Sequence, residues 1–169
     1  MKRVVITGLG LVTALGNDVP TCWANLIAGK SGAGIITHFD SSKFKTQFAC
    51  EVKDLDVSNL FDPKELRRYD RYIHLAVKSA EDAINNAGLH IQQEDPLRCG
   101  VIYGSGMGGV KTLDTNIGEF GAGDGTPRYS PFFIPMIITN MAAGMLAIRY
   151  GFKGVNYATT SACSSSSHA

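Results

Sequence analysis

Apolar residues fall into short runs punctuated by glycine and proline, and the period of each run predicts its element. Val4-Val5-Ile6, followed by Gly8 and Gly10, reads as a buried strand ending in a tight turn. Asn17 is placed to cap a helix carrying Trp23, Leu26 and Ile27, with Gly29 as its stop. Polar and apolar residues alternate through 31–62, as in Lys45-Thr46-Gln47-Phe48-Ala49-Cys50-Glu51-Val52, which predicts an exposed strand and loops. Ile73, Val77, Ala80, Ile84 and Ala87 then recur at three- and four-residue steps, an amphipathic helix from Arg71 to Ala87 that Gly88 ends. Cys99-Gly100-Val101-Ile102-Tyr103 is a second buried strand, leading through a glycine loop into a helix with Leu113, Ile117 and Phe120. Residues 121–127 form a flexible surface turn, and Pro135 starts a helix apolar nearly all round, hence buried on every side. Gly154-Val155-Asn156-Tyr157-Ala158 is a last strand, after which Cys163 opens a segment of small residues able to begin a buried helix.

Strands alternating with helices predict an α/β fold, a parallel sheet covered on both faces, without internal repeat or interdomain linker. Two stretches carry candidate chemistry. A thiol at a helix start meets unpaired N–H groups and the positive end of the dipole. Both favour thiolate, and a second N–H can hold a developing oxyanion. The plainer alternative is a small buried cysteine among inert hydroxyls. Gly104-Ser105-Gly106-Met107-Gly108-Gly109 fits G-x-G-x-x-G between a strand and a helix, a possible phosphate cradle. A dinucleotide site also wants an acidic residue closing a second strand about 20 residues on. Asp124 lies near that distance but within Gly123-Asp124-Gly125, so close backbone packing is the stronger reading.

Composition narrows the classes. The chain has 169 residues, 44% hydrophobic and 18% charged, enough for one globular domain with a substantial core. Net charge is +1 and no basic run exceeds Arg67-Arg68, which argues against nucleic acid. Cys22, Cys50, Cys99 and Cys163 are widely spaced and form no metal-ligand pattern with the four histidines, as expected for reduced cytosolic thiols. The chain runs into its first strand directly after Lys2-Arg3, without a signal-peptide core. The most apolar stretch, 134–148, is too short for a bilayer and contains Pro135 and Asn140. These features predict a soluble, cytoplasmic protein.

Several segments in order carry a resemblance to one family. They are Arg3-Val4-Val5-Ile6-Thr7-Gly8-Leu9-Gly10, Gly16-Asn17, Gly29-Lys30-Ser31-Gly32, Tyr103 to Gly109, Ser130-Pro131-Phe132-Phe133-Ile134-Pro135, Asn140-Met141-Ala142-Ala143-Gly144, and Thr159 to Ala169 around Cys163. The chain resembles the elongating, type II β-ketoacyl-acyl-carrier-protein synthases of the thiolase superfamily, over roughly their first two-fifths. The resemblance implies a thiolase-like fold of two similar halves. Residues 1–169 would be an N-terminal synthase domain with a parallel or mixed five-stranded-type sheet, incomplete at its C-terminus. It implies Cys163 as acyl-accepting nucleophile. Met107 and Gly108 would border the acyl pocket, with Met107, where isoleucine is common, as a movable gate. Phe133 would reach across a homodimer interface that also involves the Cys163 strand region.

Substrates would arrive on the phosphopantetheine of acyl carrier protein, with no other cofactor and no metal. Condensation with malonyl-carrier protein needs two histidines and a lysine that the family places beyond residue 169. His38, His74 and His90 read as surface or packing residues, and His168, on a helix, would point about 140° from Cys163. Cys22, Cys50 and Cys99 read as core or surface thiols. Burying two Phe side chains is worth roughly several kcal/mol, so at least one of Phe132, read as core, and Phe133, read as an interface residue, would be covered. Six residues after Cys163 are also too few for a stable helix, which predicts weak self-acylation and no condensation by this chain alone. Rival readings are a coenzyme A-using thiolase-type enzyme and a catalytically incompetent module that dimerises or binds a partner.

Overall fold

The structure, a computed structural model, describes residues 3–169. Met1 and Lys2, which begin the expected direct run into a strand, lie outside the described residues. The chain divides into two compact units, one of Met1–Val57 and Lys78–Leu89, the other of Ser58–Val77 and His90–Ala169.

In the first unit, helix α1 (Val19–Ile27) is capped by Asp18 and not by Asn17. Asp18 accepts the Thr21 N–H at 2.7 Å and the Thr21 hydroxyl at 2.9 Å, while Asn17 donates its amide to the Lys53 carbonyl at 2.8 Å. Aspartate is as good a cap as asparagine, so the one-residue shift follows from which side chain reaches Thr21. Strands β1 (Gly34–Ile35) and β2 (Phe48–Ala49) pair antiparallel, Gly34 opposite Ala49, within the alternating stretch. Val4-Val5-Ile6 is not a strand. Val4, Val5 and Ile6 are 98%, 71% and 83% exposed, and among the described residues no strand pairs with them. Just after them the Leu9 N–H donates to Asn86 Oδ1 at 3.0 Å, fastening the segment to the second half of helix α3 (Arg71–Ala87).

Helix α3 matches its predicted bounds and ends at Gly88, whose φ is +61°. Its apolar stripe buries Ile73 and Val77 completely. In the second unit, helix α2 (Pro63–Arg68) was not anticipated, although Asp62-Pro63-Lys64-Glu65 carries its signature. Asp62 accepts from the Lys64 and Glu65 N–H groups at 2.7 and 2.8 Å, and Glu65 reaches back to the Asp62 N–H at 3.0 Å. Strand β3 (Val101–Gly104) leads to α4 (Val110–Ala122), α5 (Phe133–Ile137), α6 (Met141–Tyr150) and strand β4 (Asn156–Thr159). Strands β3 and β4 lie parallel, Val101 opposite Asn156 and Gly104 opposite Thr159, with α6 packed against both.

The α/β class with helices on strands stands, but the described residues form two two-stranded sheets and not one of the five-stranded type. The helix expected from Pro135 is two helices. Pro135 sits in the first turn of α5, where its missing N–H costs nothing, and the chain turns extended at Ile138. At that break the Ile138 carbonyl accepts the Tyr72 hydroxyl at 2.5 Å and the Met141 N–H at 3.3 Å. Helix α6 buries Ala142, Ala143, Met145 and Leu146 but leaves Ile148 exposed, so it is covered on one side only. No described helix is long and apolar enough to cross a membrane.

Candidate active site

Strand β4 delivers the chain into a tight turn at Ser161-Ala162-Cys163. Ala162 has φ +50°, a left-handed conformation costing an alanine roughly 1–2 kcal/mol, so the surrounding bonds must hold it. Ser165 does most of that holding. It is 3% exposed; its hydroxyl donates to the Ala162 carbonyl at 2.7 Å and accepts the Ser161 N–H at 2.9 Å. Its own carbonyl accepts the Thr159 hydroxyl at 2.7 Å. Cys163 is a free, exposed thiol at the tip of this clasp.

The expected helix after Cys163 is absent; Ser165–Ser167 make only a 3-10 turn. The Ser164 and Ser165 N–H groups donate back to the Ser161 and Ala162 carbonyls at 3.1 and 3.2 Å. The Ser164 and Ser165 amides, foreseen as free donors near the sulfur, are thus already used. His168 also departs from its helical expectation. Its Nδ1 is hydrogen-bonded to the Ser161 hydroxyl at 2.7 Å, two residues before Cys163.

The glycine loop lies beside this turn. A Cβ on Gly104 would stand 2.5 Å from the Ser165 carbonyl carbon and the Ser166 nitrogen, so only glycine lets β3 end against the cysteine turn. Gly106 faces the Ala162 carbonyl, 3.3 Å from where a Cβ would sit. Ser105, buried, donates its N–H to the Thr159 carbonyl at 3.1 Å and accepts the Gly108 N–H on its hydroxyl at 3.2 Å. Gly108, at φ +70°, is backed by the Ile137 carbonyl, and Gly109 by that of Met136. The glycines therefore serve backbone contact within the protein and leave no cradle for a pyrophosphate. Asp124 binds the Thr126 N–H at 2.9 Å and Arg128 at 3.3 Å on the surface, which removes the acidic partner of a dinucleotide site.

The family model for the β-ketoacyl synthase N-terminal domain matches residues 1–169. The chain belongs to the β-ketoacyl synthase family. It is 44% identical over 167 residues to the 3-oxoacyl-[acyl-carrier-protein] synthase 2 of Coxiella burnetii, covering 99% of this chain and 40% of that protein. The corresponding Synechocystis synthase is 44% identical over 168 residues, with the same shares. A crystal structure of a β-ketoacyl synthase from Burkholderia phymatum superimposes with TM-score 0.80 at 27% identity, over 100% of this chain and 42% of that one. The fold is thus the thiolase-like ketosynthase fold, and the chain spans about two-fifths of the length of these relatives.

Among the family positions singled out from the sequence, the glycine loop lies against the Cys163 turn, and Phe133 begins α5. Met107 is at the loop apex, 73% exposed, whereas Gly108 turns inward onto Ile137. Phe133 is half-buried, its ring centroid 5.1 Å from that of Tyr129, which in turn lies 6.2 Å from Phe120. Phe132, read as core, is 39% exposed and takes the Arg68 guanidinium over its ring at 4.8 Å. Of the other cysteines, Cys22 is buried with its thiol donating to the Gly16 carbonyl at 3.1 Å, and Cys50 is exposed.

His38 sits 3.9 Å from Glu51 on the surface, and His74 packs edge-on to Phe61 at 4.9 Å, where burial lowers its pKa. No group of three or more His, Cys, Asp or Glu suited to a metal occurs among the described residues. Sequence reasoning missed Ser165, Thr159 and the Asp70–Thr112 pair described below. Ser165 is one of four consecutive serines, and residue type alone does not separate it from its neighbours.

Proposed function

We propose that this chain carries the acyl-accepting part of a β-ketoacyl-acyl-carrier-protein synthase of fatty acid elongation, an acyltransferase, with Cys163 as nucleophile. The observation that supports it most is the exposed Cys163 sulfur on a strained, serine-clasped turn, set against the glycine loop that carries Met107. A clasp of this kind fixes where the sulfur stands relative to an incoming thioester.

In the first step the Cys163 thiolate attacks the thioester carbonyl carbon of an acyl group on carrier-protein phosphopantetheine. The new sulfur–carbon bond forms, the old one breaks, and the phosphopantetheine thiolate leaves and takes up the proton released by Cys163. In the second, malonyl-carrier protein loses carbon dioxide, and the resulting enolate carbon attacks the Cys163 thioester carbonyl; the sulfur–carbon bond to Cys163 breaks, giving the β-ketoacyl product and the Cys163 thiolate. Two histidines and a lysine support that step in the family; the 169 residues contain none at matching positions. Met107 and Gly108 are proposed to border the acyl chain, and Phe133 to reach a second copy in a cytoplasmic homodimer. Acyl carrier protein, named in the relatives' own designations, is the proposed donor partner, and no resident cofactor or metal is invoked.

The test is acyl transfer to the chain from acyl-carrier protein, run beside transfer from the matching acyl-coenzyme A. The proposal expects the carrier-protein substrate to load faster and malonyl-carrier protein to give no carbon–carbon bond with this chain alone. Preferred loading from coenzyme A would replace it with the thiolase-type reading, and no loading from either would remove the enzyme reading.

A further inference from the structure

The glycine loop between β3 and α4 is anchored at both ends and carries an exposed side chain in its middle. At its start Gly104 is wedged on the backbone of Ser165 and Ser166, and the Ser105 N–H donates to Thr159. At its end the Gly109 N–H donates to the Ile137 carbonyl at 3.1 Å. Between these points Met107 stands exposed, while the Gly108 N–H donates to the Ser105 hydroxyl at 3.2 Å and the Gly108 carbonyl accepts the Val110 N–H at 3.0 Å.

The second anchor has a distant support. Asp70, at the residue before α3, is 6% exposed, and one carboxylate oxygen accepts both the N–H and the hydroxyl of Thr112 in the first turn of α4, at 2.9 and 2.6 Å. Its other oxygen accepts the Tyr72 N–H at 3.2 Å. A Cβ on Gly109 would come within 3.1 Å of the Asp70 Cβ, so the Asp70 side chain packs through its methylene against the loop end itself. Bonds to a charged acceptor are the stronger kind, and these are shielded from water.

We propose that Asp70, acting through Thr112, is a positioning residue that holds the Met107 loop in register with the Cys163 turn and thereby sets which acyl chains the site accepts. The selectivity clause rests on the enzyme reading above; the loop-holding clause does not.

Hydrogen–deuterium exchange on the 169-residue chain separates the two. Asp70→Asn and Thr112→Val should each speed exchange over 105–113 by about tenfold, the scale of losing a bond to a charged group, and leave β3 and α6 as in the parent. Thr112→Ser keeps the hydroxyl and should restore the parent rate. Cys163 loading from octanoyl- and hexadecanoyl-carrier protein should then change in ratio in the first two variants, by about threefold or more, and stay unchanged in Thr112→Ser. Unchanged exchange in both variants would overturn the proposal, and so would exchange that accelerates equally in β3 and α6, the mark of plain fold support. A loosened loop with an unaltered chain-length ratio would overturn the selectivity clause. Absence of loading in the parent chain would remove the enzyme reading and that clause with it, while exchange still decides whether Asp70 holds the loop.

Discussion

Gly104→Ala perturbs the contact on which the site depends, and its cost follows from the packing. The added Cβ would lie 2.5 Å from the Ser165 carbonyl carbon, 2.5 Å from the Ser166 nitrogen and 2.6 Å from the Ser165 oxygen. All three are backbone atoms, so no side chain can swing aside. Ordinary contact begins near 3.4 Å, and relief requires β3 and the cysteine turn to part by roughly 1 Å, an overpacking penalty of about 1–3 kcal/mol. In a chain of this size that lowers the melting temperature by about 3–10 °C. Gly144→Ala is the matched control: it lies within α6 with nothing inside 4 Å of the added Cβ, and should stabilise by about 0.5–1 kcal/mol. Thermal melts followed by circular dichroism, with iodoacetamide labelling of Cys163 on the same samples, check both. A Gly104→Ala chain that melts at or above the parent and labels at the parent rate would refute the claim that the loop and the turn are in backbone contact.

Three further outcomes follow from the same coordinates. Asp62→Ala removes the side-chain acceptor of the capping box on α2, keeping only the bond from its backbone N–H to Glu65, and should cost about 1 kcal/mol in a urea titration, with Asp62→Asn losing less. Burial raises the Tyr72 hydroxyl to about 12, against an ordinary value of 10.0, so its stabilising share is whole below pH 10 and is lost as pH climbs toward 12. Urea midpoints at pH 9 and pH 11.5 should fall more in the parent than in Tyr72→Phe. Burial lowers the His74 pKa from 6.5, so stability is full above that value and declines as pH falls below it; His74→Gln should flatten that decline.

Elements with strong local signals were readable from the chain. Helix α3 shows a 3.6-residue apolar stripe and a glycine stop, and both its ends fell where periodicity placed them. The glycine loop was legible as packing, because its acidic counterpart Asp124 sat in a turn. What failed was set by partners distant in sequence. Val4-Val5-Ile6 has the composition of a buried strand, yet burial needs a neighbouring strand, and composition cannot supply one. The break between α5 and α6 depends on a tyrosine 66 residues earlier, and the clasp around Cys163 on one serine of four. The short α2 was legible in its capping box, but its six residues carry too little periodicity to register.

The central claim is that one thiol among four accepts the acyl group. Incubating the chain with acyl-carrier protein, digesting it and locating the added acyl mass by peptide mapping tests this directly. The account predicts the mass on the Cys163 peptide and none on that peptide in Cys163→Ala. Acyl mass at Cys50, also exposed, to the same extent, or loading that survives Cys163→Ala, would contradict it.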